Sequence, residues 1–218
     1  KTKEPAYRAR LDSHQYFGTV ARDSGIRSSL SVLHWFTSNV SAAGSSSGSR
    51  GAVYYKGEFY DNVLFRRHGQ SSASFPKKSY NIDFNRTQRF RWNANAPRVA
   101  DIDLLTNWAD KSKVRHVLAY EVMREAGVAA HFAHTVRVQH NGDFFSTADL
   151  VEDADETYLK RAGLNRDGAL YKVYANSLNK DSGNNATNGV QKKTRRFENN
   201  ADLQALIDGL DLSGEALV

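Results

Sequence analysis

The chain has 218 residues, 40% of them hydrophobic, which is long enough to bury a real core in one large domain or one and a half small ones. It contains no Cys, which excludes a disulfide framework and any cysteine metal site, and no run of about 18 apolar residues that would span a membrane as a helix. The net charge of +6 is uneven: Arg66, Arg67, Lys77, Lys78, Arg86, Arg89 and Arg91 face one acid, Asp83, so this stretch alone accounts for all of it. Such density favours an anionic partner; the bland alternative is a solvated basic face. A second basic cluster sits at Lys192, Lys193, Arg195 and Arg196, and an acidic stretch runs from Asp143 to Glu156. The chain begins at Lys1 with no visible signal peptide, and reads as a piece of something longer.

In chain order, the first predicted strand is Ser31–Phe36. The Ser/Gly-rich stretch 41–49 follows and is expected to be a mobile loop. Ala52–Lys56 and Glu58–His68 read as strands around a Lys56-Gly57 turn. Ser79–Phe84 alternates, with Tyr80, Ile82 and Phe84 on one face. Asp101–Leu105 reads as a short strand. Asp110 or Ser112 then caps a helix to about Ala126, stopped by Gly127. Thr135–His140 and Asp143–Val151 read as a hairpin about Asn141-Gly142. Ala154–Ala162 reads as a helix, Ala169–Tyr174 as a strand, 175–191 as a loop and Asn200–Gly209 as a final helix. This order is α+β.

The segment Phe65–Phe84 carries the strongest chemistry. A strand enters a Gly/Ser loop whose small residues let backbone N–H groups approach an anion, with Ser71 and Ser72 adding hydroxyls. If the next strand begins early, Lys78 shares the inner face of Tyr80 and needs an anionic partner; if Pro76 delays it, both lysines are solvated. Val114, Val117, Leu118 and Val122 form a helical stripe that includes Glu121. A strand lysine paired with a helix glutamate holds nucleotide phosphates in protein kinases. The alternative pairs Glu121 with Arg115 or Arg124. His131, His134 and His140 lack supporting carboxylates at ligand spacing and read as structural or surface histidines. Asn39, Asn85 and Asn185 fit a glycosylation pattern by chance.

These residues resemble a known family. Arg66–Ser72 (RRHGQSS) with Phe75–Phe84 (FPKKSYNIDF) looks like the R-x-R-G-x-S-S … P-K-K-S-Y-x-I signature of CotH domains, the spore-coat-protein-H family of atypical kinases. Asn107–Gly127 resembles its W-x-D-x-S-x-x-R-x-x-L-A-Y-E helix, Val136–Gly142 its strand and Asn-Gly turn, Leu150–Asp155 its L-x-E-x-x-D, and Leu170–Lys172 its L-Y-K. The segments run in order over residues 50–175, in a version similar to those of large exported bacterial proteins.

The resemblance implies an atypical protein-kinase-like fold, an antiparallel sheet with packed helices. A first lobe would cover residues 28–151, and the start of an incomplete second lobe 152–218. It implies transfer of phosphate from ATP to Ser residues of proteins with Mg. Arg66, Gly69, Ser71 and Ser72 would lie near the phosphates, Lys78 would hold them with Glu121 orienting it, and Glu152 would lie near the adenine. His68 departs from the family's Arg, and Ser146 and Ala148 from its Gly and Tyr. The late catalytic and metal-binding Asp motifs do not follow Leu206, where Asp208 and Asp211 read as a helix terminus. This segment is therefore expected to bind Mg-ATP, to carry no catalytic or metal residue, and to transfer no phosphate efficiently. The competing reading is a non-catalytic surface, adhesion or scaffolding module of an exported, cell-surface bacterial protein, meeting an acidic protein or glycan. A third, a nucleic-acid binder, has basic residues among aromatics at Phe90–Trp92 but no binding motif.

Overall fold

A computed structural model describes residues 6–11, 14–19, 26–178 and 185–210. The chain falls into two compact units, Lys1–Asp153 and Ala154–Val218.

In the first unit, β1 (Ala6–Leu11) and β2 (His14–Thr19) form an antiparallel hairpin. Seven further strands are β3 (Val32–Thr37), β4 (Ser49–Tyr55), β5 (Glu58–His68), β6 (Ser79–Asp83), β7 (Asp101–Leu105), β8 (Ala133–His140) and β9 (Asp143–Glu152). They close into a barrel in the order β3-β4-β5-β6-β7-β9-β8. The mixed α+β content agrees with the sequence. The expected antiparallel pairing holds at every seam of the barrel but one: β3 meets β8 in parallel, Val32 opposite Arg137, and the sheet closes, which leaves it no edge. Alternation fills the interior. Trp35 is 1% exposed, with its ring 4.5 Å from Phe65, 4.8 Å from Tyr80 and 4.2 Å from His140. Tyr80, Ile82 and Phe84 are buried together as their spacing predicts. The Asn141-Gly142 turn has φ of 50° and 98°, the left-handed pair a tight hairpin needs.

Two local expectations fail. Residues 41–49 are not an unstructured loop. Asn39 accepts from the Ala42 N–H and caps α1 (Val40–Ala43), Ala43 is fully buried, and Ser45 donates to the Ala42 carbonyl while accepting from Gly48 N–H. Short polar side chains supply the partners that the backbone lacks there. The second failure is α2 (Arg115–Glu125), whose stripe does not enter the core: Val114, Leu118 and Val122 are 48%, 56% and 56% exposed. The barrel instead meets the adjacent side of the helix, where Val117 is half-buried, Tyr120 lies edge-on to His131 and Arg124 lies over the Phe132 ring. Apolar residues occur on both sides of this helix, so its sequence pattern alone does not choose the buried one.

The second unit holds α3 (Glu156–Arg161), β10 (Tyr171–Val173), β11 (Val190–Lys192) and α4 (Ala201–Leu210) around Ala186, Leu203 and Ile207. Asp155 caps α3 by accepting from Thr157 and Tyr158 N–H. The predicted loop 175–191 ends in β11, which pairs antiparallel with β10. Lys192, assigned by sequence to a basic cluster, turns inward and donates to the Asn199 carbonyl at 2.7 Å, with Asp202 and Glu198 within 3.5 Å. Positions 179–184 and 211–218, including Asp211, lie outside the described residues.

Candidate functional site

The ends of β5 and β7, the turn after β5 and the segment leading into α2 enclose a cavity of about 470 Å³. Its walls include His68, Gly69, Ser72, Trp108, Arg115 and His116. That volume suits a small-molecule ligand.

The Gly/Ser turn is built for close approach. Gly69 has φ of 100°, and a Cβ there would stand 2.1 Å from Ser72 Oγ. Only glycine lets the chain turn while the hydroxyl folds back against it. Ser71–Ser74 forms one 3-10 turn, and Lys78 Nζ donates to the Ala73 carbonyl at 2.7 Å. Lys78 thus braces the loop. Of the two directions that the sequence left open for it, the structure takes the one in which the strand begins after it, at Ser79, and Nζ bonds the loop backbone rather than an anionic side chain.

A polar row crosses the outer face of three strands. Arg66 on β5 meets Asp83 at 2.5 Å and donates to Asn81 on β6, Asn81 donates to Asp103 on β7, and Asp103 lies 3.0 Å from His68 in the cavity wall. Arg66 therefore reaches the cavity only through this row. Burial, which outweighs the facing Arg66 guanidinium, pushes the Asp83 carboxyl above its ordinary range.

The opposite wall is the segment Thr106–Val114. Asp110 accepts from Ser112 Oγ, Ser112 N–H and Arg115 N–H, so it caps α2 from outside the helix. These bonds, the Ser112 hydroxyl first, hold its carboxyl down at about 2. Behind this segment lies Asp149 on β9, fully buried. It accepts from Asn107 Nδ2 at 2.5 Å and Thr135 Oγ1 at 3.0 Å. Burial raises its carboxyl above the usual range, with Asn107 and Thr135 opposing. His116 Nδ1 lies 2.9 Å from Asn107 Oδ1, and Lys113 Nζ donates to the Asn107 carbonyl. Lys77 is held below the ordinary lysine range by burial and then by repulsion from Lys113. Lys77, Lys113 and Arg115 thus gather at this end of the barrel, Arg115 with its Nε 3.4 Å from Asp110.

Of the residues singled out by sequence, Gly69 and Ser72 line the cavity and Ser71 is exposed in the same turn. Glu121 is exposed on α2, and no ion pair joins it to Lys78 among the described residues, so the lysine–glutamate pair does not form here. Glu152 is 1% exposed and accepts from the Phe132 N–H, away from the cavity wall. Asn107, Asp149, His116 and Trp108 were missed. A carboxylate inside the strand sequence Thr147–Glu152 was the available signal for Asp149. Phe90 and Trp92 are core residues and Arg91 pairs with Glu58, so the aromatic–basic run at Phe90–Trp92 offers no stacking face. His134 meets Tyr55, and His140 stacks on Trp35. Among the described residues no three His, Asp or Glu side chains converge to hold a metal.

A comparison with curated proteins finds none that matches. The model of one family, described as CotH kinase protein, matches residues 65–215, more than half of the chain and the whole cavity wall. The cavity-forming segments are those whose motifs carry the resemblance, and the chain belongs to the CotH kinase protein family.

Proposed function

We propose that the cavity is a nucleotide site, and that this domain binds ATP through its phosphates in the manner of an atypical protein serine kinase. One observation carries the reading: a glycine-dependent turn with a free-standing hydroxyl faces Arg115 and His116 across a cavity at the end of the barrel where Lys77 and Lys113 also gather. Small residues and cations are what a polyphosphate needs. Trp108, 49% exposed in the same wall, offers an aromatic face for the base. The cavity's residues fit a nucleotide; among the described residues no three His, Asp or Glu side chains converge on a metal, so an Mg ion would be carried by the nucleotide's own phosphates.

In this reading the barrel-containing unit, Lys1–Asp153, is the nucleotide lobe. The phosphoacceptor is a protein Ser, and the setting is the exported, surface side of a bacterial cell or its spore coat. A second reading is a non-catalytic surface or scaffolding module, in which the exposed Arg115 and its neighbours meet an acidic protein or glycan partner.

Thermal unfolding with and without Mg-ATP separates them. A ligand present at about 100 times its dissociation constant stabilises by about 2.7 kcal/mol. The nucleotide reading expects that upward shift in Tm, and its loss in Arg115→Ala, whose guanidinium is largely exposed and removable without unfolding. No shift at millimolar ATP sinks the nucleotide reading and leaves the module.

A further inference from the structure

The hydrogen-bond directions around His116 are fixed by chemistry. Asp149 accepts at both oxygens, from Asn107 Nδ2 and from Thr135 Oγ1, so Asn107 turns its NH₂ toward it. The other end of that amide, Oδ1, therefore faces His116 Nδ1 at 2.9 Å. A carbonyl oxygen cannot donate, so Nδ1 carries the hydrogen. Nε2 is left as the lone-pair nitrogen of the neutral ring, on a side chain 53% exposed in the cavity wall. Asn107 is itself held in a left-handed conformation, φ 51°, by a bond from Lys113 to its carbonyl. A buried acid, an amide and an imidazole thus form one oriented chain that ends in the cavity.

We propose that His116 is an oxyanion-binding residue of this cavity: Nε2 takes up a proton as a phosphate group arrives and then donates to it, with Asn107 and Asp149 bracing the ring. The inference rests on reading the cavity as a phosphate site, and it adds a proton-dependent grip to that site. No bond forms except N–H, and the proton comes from solvent or from a monoprotonated phosphate. The charged and titratable groups around the ring are Asp149 from β9, Asp110 and Lys113 from the segment before α2, Arg115 from α2 and His68 with Asp103 from the opposite wall. Asp149 Oδ2 lies 3.7 Å from Nδ1, and an incoming phosphate would stand on the Nε2 side.

The test uses the full chain with ¹⁵N-labelled histidine, read by NMR, first with inorganic pyrophosphate and then with ATP. Without ligand the His116 signals should show hydrogen on Nδ1 and a bare Nε2. Pyrophosphate should protonate both nitrogens, and His116→Asn should bind it about tenfold more weakly, the worth of a charge-assisted hydrogen bond. Binding with unchanged His116 nitrogens overturns the inference and leaves the nucleotide reading standing. A protonated ring with pyrophosphate but no binding of ATP keeps the inference and overturns the nucleotide reading. If neither ligand binds, both fall.

Discussion

At the scale of single residues, burial changes what a titratable group contributes. His134 lies inside the barrel wall with Nε2 2.8 Å from the Tyr55 hydroxyl, and its Nδ1 finds no partner. Burial, aided by repulsion from Lys56, lowers it from 6.5 to about 4. The folded chain therefore binds fewer protons than the unfolded chain between those values, so the stability held above pH 6.5 is lost as pH falls toward 4. The full span corresponds to about 3 kcal/mol. Asp83 and Asp149, both raised by burial, work in the opposite direction as they protonate. His134→Gln isolates the histidine: its urea-unfolding free energy should fall less steeply than that of the wild type between pH 6.5 and 4.5. Equal slopes would show that His134 is not what couples folding to pH. Sequence gave no means of separating His134 from His131, because only the barrel's closure decides which histidine loses water.

At the scale of elements, α2 is the instructive case. Its stop at Gly127 was readable in the sequence, and Gly127 takes φ of 76°; its start was not, because Val114 rather than Asp110 or Ser112 is the N-cap and Asp110 reaches the Arg115 N–H from before the helix. Which side it buries was misread, because Leu118 and Val122 lie on the face turned away from the barrel. Leu118→Glu with Val122→Lys should therefore change unfolding stability by less than about 0.5 kcal/mol in this chain. A loss of several kcal/mol in a denaturant titration would mean that the stripe is packed after all. The direction of Lys78 stayed open in the sequence for the same reason. Alternation in β6 correctly buried Tyr80 and Ile82, yet the strand's starting residue, and with it the direction of Lys78, depends on where the turn after β5 releases the chain. Periodicity carries no information about that boundary.

At the scale of the whole first unit, closure rests on the one parallel seam. Asn141, at the β8–β9 turn, accepts from Thr37 N–H at 3.0 Å and donates to the Thr37 carbonyl at 2.9 Å, tying the end of β3 to the far hairpin. Asn141→Gly preserves the left-handed turn and removes both bonds, so the expected cost is about 1–2 kcal/mol, read as a lower Tm. An unchanged Tm would show that the seam's own backbone ladder suffices. Closure also creates the cavity, since it brings β7 beside β9 and sets Asn107 over Asp149, distant in the chain.

The sequence by itself determined what is local: the strands β5 and β7 to the residue, the Asn141-Gly142 hairpin, the helix stops and the glycine-dependent turn at Gly69. It also determined the family, because the motifs are short runs whose order survives without coordinates. Tertiary structure decided what depends on enclosure: the parallel seam, the exposed face of α2, the brace that Lys78 gives the loop, and the burial of Asp149 beneath Asn107 and His116. Backbone torsion and side-chain alternation are set by neighbours in sequence. Desolvation and the pairing of distant polar groups arise only when the sheet closes.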